Sequence, residues 1–185
     1  MSPATWLTPL TTRTKINSAA EFEELVRANQ SMVFSLAYHL LHDRAVAEEV
    51  AQEAFLALHR NLARIESPQH AVFWLRKVTV QRAIDEGRRR ARRPQVALDD
   101  QPPLAAVDAR GDPLLTNILR RLVASLPETP RSVMVLRYQE DLEPSEISRV
   151  LDMPVSTVKS HLQRSLALLR EKLERRGVGE FGWTP

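Results

Sequence analysis

The stretch PQVALDDQPPLAAVDARGDP, Pro94–Pro113, sets the strongest limit on what this chain can fold into. It is rich in proline and aspartate and holds no sustained apolar period. Proline removes a backbone donor and fixes φ, so neither helix nor strand is expected to run through it. At about 20 residues it is long for a loop inside one domain and reads as a linker. On both sides of it apolar residues recur at helical spacing, and no segment alternates at the strand period. The expected fold is all-α: two small helical domains, residues 18–93 and 114–175, joined by a flexible linker at 94–113. Residues 1–17 read as a flexible arm and 176–185 as a flexible tail. The chain has 185 residues, 43% hydrophobic and 26% charged, which supports two cores and argues against disorder.

The first block is expected to hold four helices. Ser18 with Glu21 is a capping-box signature, followed by an apolar stripe at Phe22, Leu25 and Val26. A second apolar segment covers Met32 to Leu41. A third helix starts at Asp43, a good N-cap, and runs to about Leu62. Arg64 to His70 reads as a loop, and a fourth helix spans about Gln69 to Arg89. In the second block helices are expected at 114–125, 128–139, 144–151 and 155–175, with Pro127, Pro144 and Pro154 at their starts.

The stretch VLDMPVSTVKSHLQRSLALL, Val150–Leu169, carries the first functional signal. On a helix from Val155, the residues Val158, Leu162, Ser165, Leu166 and Leu169 gather on one side. Ser156, Thr157, Ser160, Gln163 and Arg164 gather on the other, with Lys159 at the border. The helix before it is short, buries Ile147, Val150 and Leu151, and carries small Ser148, which allows close approach. Asp152 tolerates a left-handed turn better than most side chains. This is helix-turn-helix spacing, and such a helix fits the DNA major groove with its first residues at base edges. A solvated face on an ordinary helical hairpin would leave the same pattern.

Two charge blocks lie upstream. Arg76, Lys77, Arg82, Arg88, Arg89, Arg90, Arg92 and Arg93 stand against only Asp85 and Glu86. That density suits a phosphate backbone, the natural partner, with a solvated helix end as the lesser alternative. Phe73 and Trp74 at its start could stack on unpaired bases, but Trp74 fits a core anchor better. The helix from Asp43 instead sets Glu48, Glu49, Gln52 and Glu53 opposite an apolar side of Ala47, Ala51, Ala54, Phe55, Leu58 and Leu62. DNA would repel that face, so it suggests a basic protein partner, with a merely solubilising face, which would carry more opposite charge than the flanking Arg44 and Arg60, as the alternative.

Other chemistries are poorly served. There is no cysteine, so disulfides, thiolate metal sites and a cysteine nucleophile are excluded. With 5 glycines the chain has neither GxGxxG nor a P-loop. His39 and His42 stand three apart, read as one helix, without a third ligand at suitable spacing. No nucleophile elbow occurs. No apolar run approaches the roughly 18 residues that span a bilayer, and no signal-peptide pattern opens the chain. No enzyme activity, cofactor, metal or membrane partner is expected, and the location expected is cytoplasmic.

DRAVAEEVAQEAFLALHR (Asp43–Arg60), VFWLRKVTVQRAIDEGRRR (Val72–Arg90) and SLPETPRSVMVLRYQEDLEPSEISRVLDMPVSTVKSHLQRSLALLREKL (Ser125–Leu173) together resemble an extracytoplasmic-function (group IV) sigma factor of bacterial RNA polymerase. The likeness covers about residues 20–175 with the segments in order. It implies that the first block is sigma region two and the second sigma region four. Asp43, Glu48, Glu49, Gln52 and Glu53 would then grip the clamp helices of the polymerase largest subunit. The loop Ile65–Ala71 and the helix Phe73–Asp85 would open the minus-ten element, with His70, Phe73, Trp74, Arg76, Lys77 and Gln81 at the melted DNA. Arg88, Arg89, Arg90 and the rest of the run to Arg93 would follow phosphates. Ser156, Thr157, Lys159, Ser160, Gln163 and Arg164 would read the minus-thirty-five element as duplex. The linker would replace region three near the RNA exit path, and nothing matches an inhibitory region one. The resemblance further implies core polymerase, including its flap, promoter DNA, and an anti-sigma protein as partners.

The chain departs from the family pattern at three places. Gln81 stands where asparagine is common, which puts the preferred minus-ten base in question. Asp152 stands where glycine is usual at the turn. Pro154 replaces a serine or threonine cap, so the phosphate grip at that helix start should weaken. Two other readings remain open from the residues alone: a stand-alone helix-turn-helix regulator, and an adaptor that binds a protein but no DNA. An acidic helix followed by an arginine-rich one favours the sigma reading over a sensor domain.

Overall fold

A computed structural model describes residues 19–92 and 113–175. The expected arm, the Ser18 cap, Arg93, all of the linker before Pro113, and the tail lie outside the described residues.

The N-terminal block is built from α1 (Ala19–Leu41), α2 (Arg44–Arg60), a 3-10 turn at Leu62–Arg64, and α3 (Pro68–Ala91). In place of the four expected helices, three α-helices with one short turn are found among the described residues. The two apolar segments before Leu41 form one helix, because no glycine or proline interrupts Ala19–Leu41. They look separate in the sequence because they face different neighbours. Leu25 and Val33 enter a cluster with Ala51, Ala54, Leu58, Ile65, Ala71 and Leu75, whereas Leu36 and Leu40 enter another. Buried Asn29 is satisfied by donating from its amide to the Leu25 carbonyl at 2.8 Å.

His42 follows α1 in a left-handed conformation, φ 55°, and so lies outside the helix expected to hold both histidines. Asp43 then caps α2 as expected, its Oδ1 accepting from the Val46 N–H at 3.2 Å. α2 stops at Arg60, so Leu62 packs from the 3-10 turn. Ser67 caps α3 by accepting from the His70 N–H at 3.1 Å. With Pro68 in the first turn, His70 belongs to the helix and not to the loop.

The C-terminal block contains α4 (Pro113–Ala124), α5 (Glu128–Tyr138), α6 (Pro144–Leu151) and α7 (Val155–Glu174). Pro144 occupies the first turn of α6, while Pro127 and Pro154 stand at the cap positions of α5 and α7, which start at Glu128 and Val155 as expected. Leu122, Leu126, Met134 and Leu169 form one small core.

The two blocks also share a core. Leu36 and Leu40 of α1 and Val80 and Ala83 of α3 lie in one cluster with Val133, Leu136, Leu142, Ile147, Val150 and Val158. Fully burying a valine or leucine stabilises by about 1.5–3 kcal/mol. Ion pairs at such a boundary contribute much less, so apolar packing holds the blocks together.

Candidate functional site

The α6–α7 turn is closed by local chemistry. Asp152 takes φ 55° and ψ 48°, the left-handed conformation expected of it. The Met153 N–H donates to the Ser148 carbonyl at 3.1 Å, and the Ser148 hydroxyl donates to the Met153 carbonyl at 2.6 Å. Ser148 thus ties the turn as well as permitting close approach. Glu143 and Glu146 form a reciprocal capping box at the start of α6, with the Glu143 N–H donating to Glu146 at 2.9 Å. The spacing Glu143-Pro-Ser-Glu146 carries that signal, although glutamate is an unusual cap and sequence reasoning missed it.

On α7, Val158, Ser165 and Leu169 are buried and Leu162 half-buried. Leu166, expected among them, is 37% exposed, because it lies at the edge of the buried stripe. Ser156, Lys159, Ser160, Gln163 and Arg164 are exposed on the far side, and Thr157 is half-buried. The Ser160 hydroxyl donates back to the Ser156 carbonyl at 3.0 Å. Pro154 offers no side-chain cap to the helix start.

On α2, Glu48, Glu49, Gln52 and Glu53 are all exposed, opposite the buried Ala47, Ala51, Ala54 and Leu58. Glu48 pairs with Arg44 at 2.9 Å, and Glu53 pairs with Arg82 of α3. Asp43 accepts from Arg90 at 2.8 Å. Desolvation pushes the Asp43 carboxyl up, but the Val46 N–H and the Arg90 guanidinium outweigh it and hold its pKa below the usual value. The acidic and basic blocks are therefore partly satisfied by each other, a pairing across α2 and α3 that neither segment reveals alone.

The α3 residues divide by direction. Trp74 packs half-buried against the N-terminal core, as a core anchor should. Phe73 packs against the shared cluster, with the Arg149 guanidinium 5.6 Å from its ring centroid. Arg76 donates to Glu140 at 2.9 Å, and that carboxylate side chain is only 6% exposed. Burial pushes the Glu140 carboxyl up, against the opposing pull of Arg76. Arg88 meets Glu128 at 2.8 Å and Arg89 meets Glu86 at 2.7 Å. Gln81 is exposed and Lys77 half-buried, and the His70 Nδ1 accepts from the Glu66 N–H at 3.3 Å. Sequence reasoning does not single out Glu128, Glu140 or Arg149, since their partners lie far away along the chain.

His39 and His42 gather no metal site: among the described residues no cluster of His, Asp or Glu could hold an ion. No helix among the described residues is long and apolar enough to cross a membrane.

Comparison with known proteins agrees with this layout. Residues 25–93 match the family model for Sigma-70 region 2, and residues 116–169 match that for Sigma-70, region 4. The chain is 34% identical to an RNA polymerase sigma-E factor of Streptomyces avermitilis over 163 residues, covering 85% of this chain and 88% of that one. It is 28% identical to the ECF RNA polymerase sigma factor SigW of Bacillus subtilis, covering 82% and 88%. Among solved structures, the sigma factor RpoE in complex with the anti-sigma factor NepR from Bartonella quintana superposes with a TM-score of 0.71 at 16% identity, covering 84% and 98%. CnrH in complex with the cytosolic domain of CnrY gives 0.64 at 20%, covering 86% and 91%.

Proposed function

We propose a division of labour for this chain, which belongs to the extracytoplasmic-function sigma factors and is an alternative sigma factor for transcription initiation. The exposed α2 face, Glu48, Glu49, Gln52 and Glu53 with Asp43 at its start, docks on the basic clamp helices of the polymerase largest subunit. Residues 18–93 form the domain that does this and that opens the minus-ten element through His70, Phe73, Trp74, Arg76, Lys77 and Gln81. Arg88, Arg89 and Arg90 follow phosphates. Residues 114–175 form the second domain, whose Ser156, Thr157, Lys159, Ser160, Gln163 and Arg164 read the minus-thirty-five duplex and which meets the polymerase flap. The stretch 94–113 links the two. An anti-sigma protein restrains the free form, the site of action is the cytoplasm, and the chain has no catalytic role of its own.

One observation carries this reading: an exposed acidic helix face and an exposed donor-rich recognition helix sit in the two domains of one chain, in family order. The acidic face seeks a cationic protein surface, and the recognition helix seeks duplex DNA. The test is titration of labelled protein with bacterial core RNA polymerase, without DNA, at low and moderate salt. Tight binding that disappears in Glu49→Lys with Glu53→Lys, with unchanged circular dichroism, supports the assignment. Unchanged binding would reduce that face to solvation.

A further inference from the structure

Resting on the reading of α7 as the minus-thirty-five helix, we infer that Val155 is a base-specificity residue. Its side chain packs on the C5-methyl group of a thymine in the major groove.

Val155 is the first residue of α7 and is 37% exposed. Recognition helices of this kind bring their N-terminal residues to base edges. Leu166 and Leu168, the other exposed large apolar residues of α7, follow about 16–20 Å further along the axis. That is about twice the depth of the major groove, about 8.5 Å. Val155 is therefore the large apolar side chain of this helix at the point of entry.

The fold makes no use of it. Val155 belongs to none of the apolar clusters among the described residues. An apolar staple at a helix start joins the residue before the cap to the fourth residue inside. Here those are Met153 and Val158, and both pack in the shared core. Valine is also a poorer helix former than glutamine, glutamate or lysine, so helix stability does not call for it at an exposed site.

Hydrogen-bonding groups at this tip are largely committed. Pro154 has no N–H and provides no side-chain cap. The N–H groups of Thr157 and Val158 both donate to the Pro154 carbonyl, at 2.9 and 3.1 Å. The Ser160 hydroxyl turns back to the Ser156 carbonyl at 3.0 Å. With Pro154 also exposed, the tip meets a base edge with an apolar surface. Among the four DNA bases, thymine is the one that carries a methyl group in that groove. Removing one methyl group from water strengthens binding about fourfold.

The test uses the full chain, alone and with bacterial core RNA polymerase, and a duplex library with a randomised stretch. Bound pools are sequenced for the native chain, for Val155→Ala, and for Lys159→Ala with Arg164→Ala. The native chain should enrich a motif containing a thymine whose preference falls about fourfold in Val155→Ala while other positions hold. Deoxyuridine at that position deletes the methyl and keeps the pairing. It should weaken native binding about fourfold and leave Val155→Ala unaffected. 5-Methylcytosine there should bind the native chain better than cytosine does. The base replacements are read on the native chain, so misfolding of the variant would not blunt the test. Deoxyuridine binding as well as thymidine at every thymine of the motif overturns the methyl contact. An unchanged motif in Val155→Ala, with the motif lost in the Lys159 and Arg164 variant, overturns Val155 alone and leaves the reading of α7 standing. If the native chain enriches no motif, or the Lys159 and Arg164 variant keeps it intact, the reading of α7 fails and the inference with it.

Discussion

Arg131 ties the carbonyl of Leu40 to the second domain: its Nη1 donates to Leu40 at 2.9 Å, and its Nη2 donates to Ala124 at 2.6 Å and Leu126 at 2.9 Å. Leu40 lies in the last turn of α1 and Ala124 ends α4, so one guanidinium serves the negative ends of two helices in two domains. Burial pulls the Arg131 pKa down, with Glu128 opposing, yet arginine stays charged at any working pH. Arg131→Met keeps most of the apolar stem and strands three carbonyls. Denaturant unfolding should show a loss of about 2–4 kcal/mol. A loss under about 1 kcal/mol would mean that water satisfies those carbonyls instead.

Asp152 sits in a left-handed conformation that glycine adopts without strain. Asp152→Gly should leave stability unchanged or raise it by up to about 1 kcal/mol. Asp152→Val should lower it by about 1–3 kcal/mol, since a β-branched side chain clashes there. Equal melting temperatures for the two variants would show that the turn relaxes to another conformation.

His42 makes stability depend on pH. Its imidazole is half-buried, and Nε2 has no hydrogen-bond partner. Burial first, then Arg131, His39 and Arg120, lower its pKa to about 4, while Tyr38 packs edge-on against its ring. The unfolded chain therefore binds a proton near pH 6.5 that the folded chain refuses until about pH 4. The stability it contributes is complete above pH 6.5 and drains away as pH falls toward 4. Glu140 works the other way: its raised pKa means that protonation relieves a burial cost as the solution is acidified. The informative quantity is thus the difference between the native chain and His42→Asn, which suits the left-handed backbone. The variant's melting temperature should fall less between pH 6.5 and 4. Parallel curves would rule out His42 as the titrating group.

What the sequence disclosed was set by how local each cause is. The Asp43 cap, the left-handed Asp152 and the exposed face of α7 each depend on residues within one or two turns, and each was legible. The continuity of α1 was not, because Leu25 and Val33 serve one core while Leu36 and Leu40 serve another further along the same face of the helix. Packing of the two domains against each other stayed open in the sequence, since an acidic and a basic face on a tether can meet, but the apolar residues that join them were hidden for a related reason. Val80 and Val133 look like ordinary core residues, and no local pattern says that they share a cluster. The Arg88–Glu128 and Arg76–Glu140 pairs follow from that packing, and they bridge segments of unrelated composition.

Lys159 and Arg164 are the exposed cations of the proposed minus-thirty-five face. Neither supports the core: the buried positions of that helix are Val158, Ser165 and Leu169. Lys159→Ala with Arg164→Ala should therefore leave unfolding within about 0.5 kcal/mol of the native chain. Duplex binding should nonetheless weaken. If both side chains meet phosphates, the slope of log affinity against log salt should become shallower by about 1.8, at about 0.9 for each phosphate no longer neutralised. If Arg164 instead reads a guanine edge, the slope should shift by about half that amount, and discrimination against one base substitution should fall by about 1–3 kcal/mol. An unchanged slope and unchanged affinity would place the duplex-reading surface on another face of the domain.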